Sequence, residues 1–327
     1  MKALVTAEFP RDGLDELRAL GYDPVHTGWG VTRKAMTSEE LVAALDDTEV
    51  LICEVERVDA PVLAAAPTVR LVASCRGNPT NVDLDAAAVS GVVVLATPGR
   101  NAISVADFTI GLLLDHCRRI GRSERQLREH GWMTDGDLPY FHFRGPELAG
   151  RTLGLVGFGA IGRLVAERAQ GFGMSLVAFD PFIDTAPSGV RLMELDELLV
   201  HSDVVSIHCP LTSETRGLIG DRELGLMRSE AILVNTARAA VVDEQALLHA
   251  LRHREIAGAA LDVFWEEPLA ADHPILALDN VTITPHVAGA ADDVQRHHAR
   301  MIIDDVARWQ AGEPLQHAVV PPQGARA

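Results

Sequence analysis

An arginine, a carboxylate and a histidine follow three successive apolar runs of this chain. Arg238 closes Asn235-Thr236-Ala237-Arg238, Glu267 lies in Asp262-Val263-Phe264-Trp265-Glu266-Glu267-Pro268, and His286 ends Thr284-Pro285-His286. These are the groups that hydride transfer to a 2-oxo acid requires. A guanidinium grips a carboxylate with two parallel hydrogen bonds and polarises the neighbouring carbonyl. An imidazolium delivers a proton to the carbonyl oxygen as hydride reaches carbon, and an adjacent carboxylate stabilises that cation and sets its tautomer. By residue type alone, Glu266 competes with Glu267 for the carboxylate role. His208, in His208-Cys209-Pro210-Leu211-Thr212, competes less well with His286.

A hydride needs a carrier, and the stretch from Thr152 to Asp180 has the pattern that holds one. The short apolar run Leu153–Val156 leads into Gly157, Gly159 and Gly162, spaced G-x-G-x-x-G. A helical pattern with Leu164, Val165 and Ala169 follows, and then a second apolar run, Leu176–Phe179, that ends in Asp180. One glycine makes the tight turn, the next lets a pyrophosphate reach the backbone, and the third lets helix and strand pack closely. The helix start offers free N–H groups to the phosphates. Asp180 is placed to accept both ribose hydroxyls. Pro181, Phe182, Ile183 and Asp184 supply no cation for a 2′-phosphate, so NAD rather than NADP is expected.

The elements that must position these groups alternate between strand and helix. Ala3–Thr6, Val50–Cys53, Leu71–Ser74 and Val92–Ala96 read as strands, with helices at Arg11–Leu20, 59–66 and 83–89. Thr37 and Glu40 have capping-box spacing ahead of Leu41. The turn Thr97-Pro98-Gly99-Arg100-Asn101 marks a boundary, after which 103–128 reads as one long helix. Gly131–Pro146 is too irregular for core and reads as an exposed arm suited to an oligomer contact. Strands then follow at Val204–His208, Ala231–Asn235, Ala259–Val263 and Val281–Thr284, with helices near 194–200, 221–228 and 243–253. A last helix spans 291–311, and Pro314, Pro321 and Pro322 close a loose tail.

This pattern predicts an α/β protein with two doubly wound parallel-sheet domains. The expected division is 1–99 with 290–327 as a flavodoxin-like substrate domain, and 100–289 as a Rossmann NAD-binding domain. Two long helices are expected to link them as struts, and the cleft between domains is the default ligand site.

Composition narrows the partners. Acidic residues outnumber Lys plus Arg by 46 to 29, a formal net charge of −17, which repels nucleic acid and anionic membranes. Cys53, Cys75, Cys117 and Cys209 lack metal-site or disulfide spacing, so no metal is expected and a reducing compartment is the natural setting. No apolar run approaches the roughly 20 residues of a membrane span. The N-terminus turns acidic early and lacks the apolar core of a secretory signal, so a cytoplasmic protein is expected.

The motifs GFGAIGR (157–163), HCPLT (208–212), NTAR (235–238), VVDEQAL (241–247), DVFWEEP (262–268) and TPH (284–286) together resemble the D-2-hydroxyacid dehydrogenase family over nearly the whole chain. The resemblance implies that Arg238 binds substrate, His286 is the acid/base and Glu267, directly before Pro268, is its partner. It implies an NAD site along Gly157, Gly159, Ala160, Ile161, Gly162, Arg163 and Asp180. That site continues over His208, Pro210, Thr215, Thr236, Ala237 and Asp262 to His286. Family members are commonly homodimers.

The substrate loops depart from the family. Cys75-Arg76-Gly77-Asn78-Pro79-Thr80-Asn81 replaces a glycine-rich loop, and only Asn81-Val82-Asp83 matches cleanly. Cys53-Glu54-Val55-Glu56-Arg57 stands where phosphoglycerate dehydrogenases hold phosphate, and two carboxylates there oppose an anion. The expected substrate is therefore an unphosphorylated polar acid met by Glu54, Arg76, Gly77 and Asn78, unless Glu54 and Arg76 merely pair with each other. The alternatives are a phosphoglycerate dehydrogenase and an NAD-sensing, corepressor-like binding protein.

Overall fold

The structure is a computed structural model that describes residues 1–132, 136 and 138–321. Two compact units emerge, Met1–Asn101 with Ala291–Ala327, and Ala102–Ala290. Among the described residues no helix is long and apolar enough to cross a membrane.

The first unit is built on strands β1 (Lys2–Val5), β2 (Asp23–His26), β3 (Thr48–Cys53), β4 (Leu71–Ser74) and β5 (Val93–Leu95). They pair in parallel in the order β5-β4-β3-β1-β2, the flavodoxin-like arrangement. Continuous apolar runs at β3, β4 and β5 fit a sheet covered on both faces, and nearly every residue in them is buried. The capping box ahead of the helix Ser38–Ala44 forms as its spacing predicts: Glu40 N–H donates to Thr37 Oγ1, and Thr37 N–H to Glu40 Oε2 at 2.8 Å.

Strand β2 escapes the sequence pattern because Pro24 sits inside it. Proline is tolerated only at a sheet edge, which is where β2 lies. The tail is not loose over its described part. Ala318–Val320 forms a strand antiparallel to β5, and Asp305 accepts hydrogen bonds from the Gln316 and His317 N–H groups. Residues 322–327, including Pro322, lie outside the described residues.

The second unit carries β6 (Thr152–Val156), β7 (Ser175–Phe179), β8 (Val190–Leu192), β9 (Val204–Ile207), β10 (Ile232–Asn235), β11 (Gly258–Leu261) and β12 (Val281–Ile283). All are parallel, in the order β12-β11-β10-β9-β6-β7-β8. Strand order reverses between β6 and β9, and such switch points open a ligand crevice at the carboxyl ends of the strands. Three-residue β8, with Arg191 at its centre, is too short and polar to read as a strand.

Each long helix packs into a unit of its own. Val294–Ala311 sends Ala299, Ile302 and Val306 into the first core beside Val5 and Leu17. Ala102–Arg118 packs on Ala160–Gly171, placing Ala106, Ile110 and Leu113 beside Val165 and Ala169. The expected single helix over 103–128 is two, Ala102–Arg118 and Ile120–His130, broken at Arg119 by a left-handed backbone (φ 52°). Periodicity could not reveal the break because both halves keep a helical pattern. The expected arm contains a short exposed helix, Pro139–His142; its residues 133–135 and 137 lie outside the described set.

Candidate active site

His286 sits in a backbone conformation that histidine seldom adopts, φ 54°, and the loop around it is pinned by one carboxylate. Asp262, fully buried at the end of β11, accepts hydrogen bonds from Thr284 Oγ1 (2.6 Å), Val287 N–H (2.9 Å) and Ala288 N–H (2.8 Å). His286 N–H closes the turn onto Thr284 O. Strain of this kind persists only where surroundings over-determine it. The Asp262 carboxylate is thus committed to holding the histidine loop, a role that residue type alone did not suggest.

The imidazole Nδ1 lies 2.7 Å from Glu267 Oε2. Phe264 N–H donates to Oε1 of the same carboxylate at 3.0 Å. Burial works to raise the Glu267 carboxyl, but its hydrogen bonds from His286 and Phe264 and the nearby His286 and Arg238 charges outweigh that. It is held below the ordinary glutamate range. A carboxylate with a depressed pKa keeps its pairing as pH falls through the usual carboxylate range and loses it only below. Nδ1 is taken up by Glu267, and Nε2 has no hydrogen-bond partner among the described residues. Glu266 forms no such contact among the described residues. Phe264, Leu269, Leu276 and Pro285 line an apolar cavity of about 760 Å³ that Glu267 and His286 border.

Arg238 is exposed at the end of β10, on a turn set by Asn235. The Asn235 amide donates to Arg238 O at 3.0 Å and its oxygen accepts from Ala237 N–H at 3.0 Å. Thr236 is buried, its hydroxyl 2.8 Å from that of Thr109 on the helix Ala102–Arg118, a contact that no local pattern in the chain pairs.

At the switch point the three glycines differ in what surrounds them. Gly157 has φ 95°, and a methyl there would press to 2.5 Å on Cys209 N. At Gly162 a methyl would come within 2.4 Å of Gly157 O, so helix and turn touch. At Gly159, which caps the helix Ala160–Gly171, a methyl would meet nothing within 4 Å. That opening, over the first N–H groups of the helix, fits a pyrophosphate.

Asp180 holds the rim of the turn by accepting from Phe158 N–H (2.8 Å) and Phe182 N–H (3.0 Å), and its lone pairs can also serve ribose hydroxyls. His208 packs against the turn, with Nε2 on Ser206 Oγ and a buried Nδ1 that has no partner among the described residues. Burial drives its pKa down to about 3, so it is neutral and unsuited to donating a proton to substrate. Thr215 braces the following loop, donating to Pro210 O and accepting from Thr212 N–H. Ala160, Ile161 and Arg163 lie in the first turn of the switch-point helix.

A contrast tests these glycine roles. Gly162→Ala is expected to cost about 1–3 kcal/mol of stability by overpacking, lowering Tm with or without NADH. Gly159→Ala is expected to leave the cofactor-free Tm unchanged and to weaken NADH binding. A Gly159→Ala protein that binds NADH normally would refute the pyrophosphate placement.

In the first unit, the residues expected to meet substrate lie at the carboxyl edge of the sheet, and the alternative pairing of the Glu54 and Arg76 side chains does not form. Glu54, after β3, bonds to Arg100 at 2.9 Å rather than to the Arg76 side chain. Arg76 instead donates to Glu54 O (2.6 Å) and to Thr80 Oγ1. Arg100 was legible only as part of a boundary turn. Tertiary folding places it beside Glu54 because His298, 1% exposed and 3.2 Å away, anchors it. His298 is therefore buried. Its Nε2 lies 2.7 Å from Glu8 O, and burial pushes its pKa down to about 4.

Glu56 turns into the core, bonding Thr6 Oγ1 and Trp29 N–H, so only Glu54 remains to oppose an anion. Burial raises the Glu54 carboxyl despite Arg100 and Arg76 nearby. Gly77 and Asn78 are exposed on the same loop as Arg76.

Residues 110–288 match the D-isomer specific 2-hydroxyacid dehydrogenase, NAD binding domain. The chain is 37% identical to a glyoxylate reductase of Thermofilum pendens, covering 95% of this chain and 92% of that one. The chain belongs to the D-isomer specific 2-hydroxyacid dehydrogenases. It is an NAD-binding oxidoreductase that interconverts a 2-hydroxy acid and its 2-oxo acid. A D-3-phosphoglycerate dehydrogenase of Archaeoglobus fulgidus is 36% identical over 98% of this chain, which spans 59% of that protein's length. Among solved structures, the TT0316 protein of Thermus thermophilus superposes with a TM-score of 0.83 at 37% identity, covering 98% of this chain and all of that one. For this dehydrogenase the glycine turn and Asp180 are the residues that would hold NAD, which supplies or accepts the hydride when bound.

Proposed function

We propose that Arg238, Glu267 and His286 carry the dehydrogenase reaction on an unphosphorylated, polar 2-oxo acid. Arg238 clamps the substrate carboxylate, and His286 passes a proton between Nε2 and the substrate oxygen. Glu267 holds the ring by Nδ1 and stabilises its cation. The observation that carries this reading is the 2.7 Å bond between His286 Nδ1 and Glu267, with Nε2 unpartnered among the described residues. Glu54, Arg76, Gly77 and Asn78 select the remainder of the substrate. Glu54 favours hydroxyl groups over phosphate, although the Arg100 contact offsets part of its charge.

The test is NADH oxidation against aliphatic, aromatic, polyhydroxylated and phosphorylated 2-oxo acids. The highest kcat/KM is expected for an unphosphorylated polar acid. A phosphorylated acid that equals or exceeds it would replace this reading with that of a phosphoglycerate dehydrogenase.

Asp180 sets the cofactor preference toward NAD. Asp180→Ala is expected to lower NADH affinity by about 10- to 100-fold, the loss of one to two charge-assisted hydrogen bonds. The same change narrows the gap to NADPH, checked as the ratio of kcat/KM for the two cofactors. Unchanged discrimination would remove Asp180 from this role.

The protein acts in the cytoplasm as a homodimer through the arm. Exposed Trp132, and exposed Tyr140 and Phe141 with their rings 5.4 Å apart, support that reading, since clustered apolar surface marks association sites.

A further inference from the structure

The second unit has a cavity at the amino ends of its strands, the opposite edge of the sheet from His286 and the glycine turn. It measures about 640 Å³, within the range of small-molecule sites, and the starts of β10 and β12 form part of its wall. Its lining includes Arg119, Arg122, Arg151 and Arg254, against two carboxylates among the described residues, Glu230 and Asp279. Such a concentration of positive charge is unusual in a chain of net charge −17.

The guanidinium groups are oriented more than they are neutralised. Arg119 donates to His142 O (3.0 Å), Arg122 to Asp279 O (2.6 Å) and Arg151 to Glu147 O (2.7 Å), all main-chain acceptors. Arg119 and Arg122 make no ion pair among the described residues. Arg151 reaches Asp203 only at 4.0 Å, where Arg228 is the nearer partner at 2.9 Å. Of the four, Arg254 alone has a close carboxylate among the described residues, that of Asp279. Arginines fixed by neutral carbonyls keep their charge and present planar forks suited to oxyanions.

Arg119 (φ 52°) and Arg254 (φ 57°) take left-handed backbone at helix ends, which turns the chain at the cavity wall. Inside the cavity His116 bonds Thr282 Oγ1 through Nδ1 at 3.1 Å. Burial, with lesser contributions from Arg119 and Arg122, pushes its pKa down to about 4.

We propose that this cavity is a binding site for a small, multiply charged anion, separate from the residues assigned to cofactor and substrate. Phosphate and polycarboxylate groups share the chemistry that Arg119, Arg122 and Arg151 offer.

The test is calorimetric titration of the full chain with inorganic phosphate and with citrate. Saturating NADH would cover the glycine turn, and chloride would hold ionic strength constant. The wild type is expected to bind at least one probe saturably. Arg122→Gln and Arg151→Gln are each expected to weaken it by roughly ten-fold, the loss of one charge-assisted contact. Arg238→Gln should leave it within about two-fold. Arg122 is exposed, so its variant keeps the test valid if Arg151→Gln folds poorly. Absence of saturable binding overturns the proposal. So does binding that Arg238→Gln abolishes while Arg122→Gln leaves it intact.

Discussion

His286→Ala lowers kcat for 2-oxo acid reduction by about 10²–10⁴-fold, the usual contribution of a positioned acid, and leaves the NADH dissociation constant nearly unchanged. The expectation rests on where the ring sits. Nδ1 is committed to Glu267 at 2.7 Å, so Nε2 is the atom left for the substrate oxygen. Cofactor affinity is expected to depend on other residues, the glycine turn and Asp180. Alanine is also less comfortable than histidine at φ 54°, and the loop itself could shift. His286→Asn controls for that, because asparagine tolerates the left-handed region and cannot act as the acid. Both variants should lose kcat alike. Pre-steady-state hydride transfer and NADH fluorescence titration separate the two quantities. A variant that loses cofactor affinity while keeping its turnover would show His286 to be misassigned.

Arg238→Ala raises KM for the oxo acid and lowers kcat/KM by about 10²–10³-fold, as expected when a bidentate, charge-assisted pair is lost. Little stability should go with it. The side chain is exposed, and the turn that presents it is held by Asn235 through main-chain groups that alanine retains. Arg238→Lys should recover only part of the loss, since an ammonium cannot reproduce the planar fork. Steady-state kinetics with the best acid of the panel measures both. An unchanged KM in Arg238→Ala would remove the carboxylate clamp, whereas a large fall in Tm would point to a structural role for the side chain.

How far the residues spoke for themselves varied by element. The glycine turn, Asp180 and the strand ends bearing Arg238, Glu267 and His286 were legible because their information is local: apolar runs, glycine spacing and turn residues act over a few positions. The parallel sheets followed from strand–helix alternation, and the capping box from two residues three apart. Other features depend on groups far apart in the chain, which no periodicity records. Asp262 braces the His286 loop across strands, and Arg100 meets Glu54 because His298 anchors it. Glu56 turns inward, and the tail finds the open edge of β5. A side chain's type limits which bonds it can form, but packing decides which partner it meets. The chemistry was therefore written in short motifs, while the bracing of its groups was decided only by the tertiary fold.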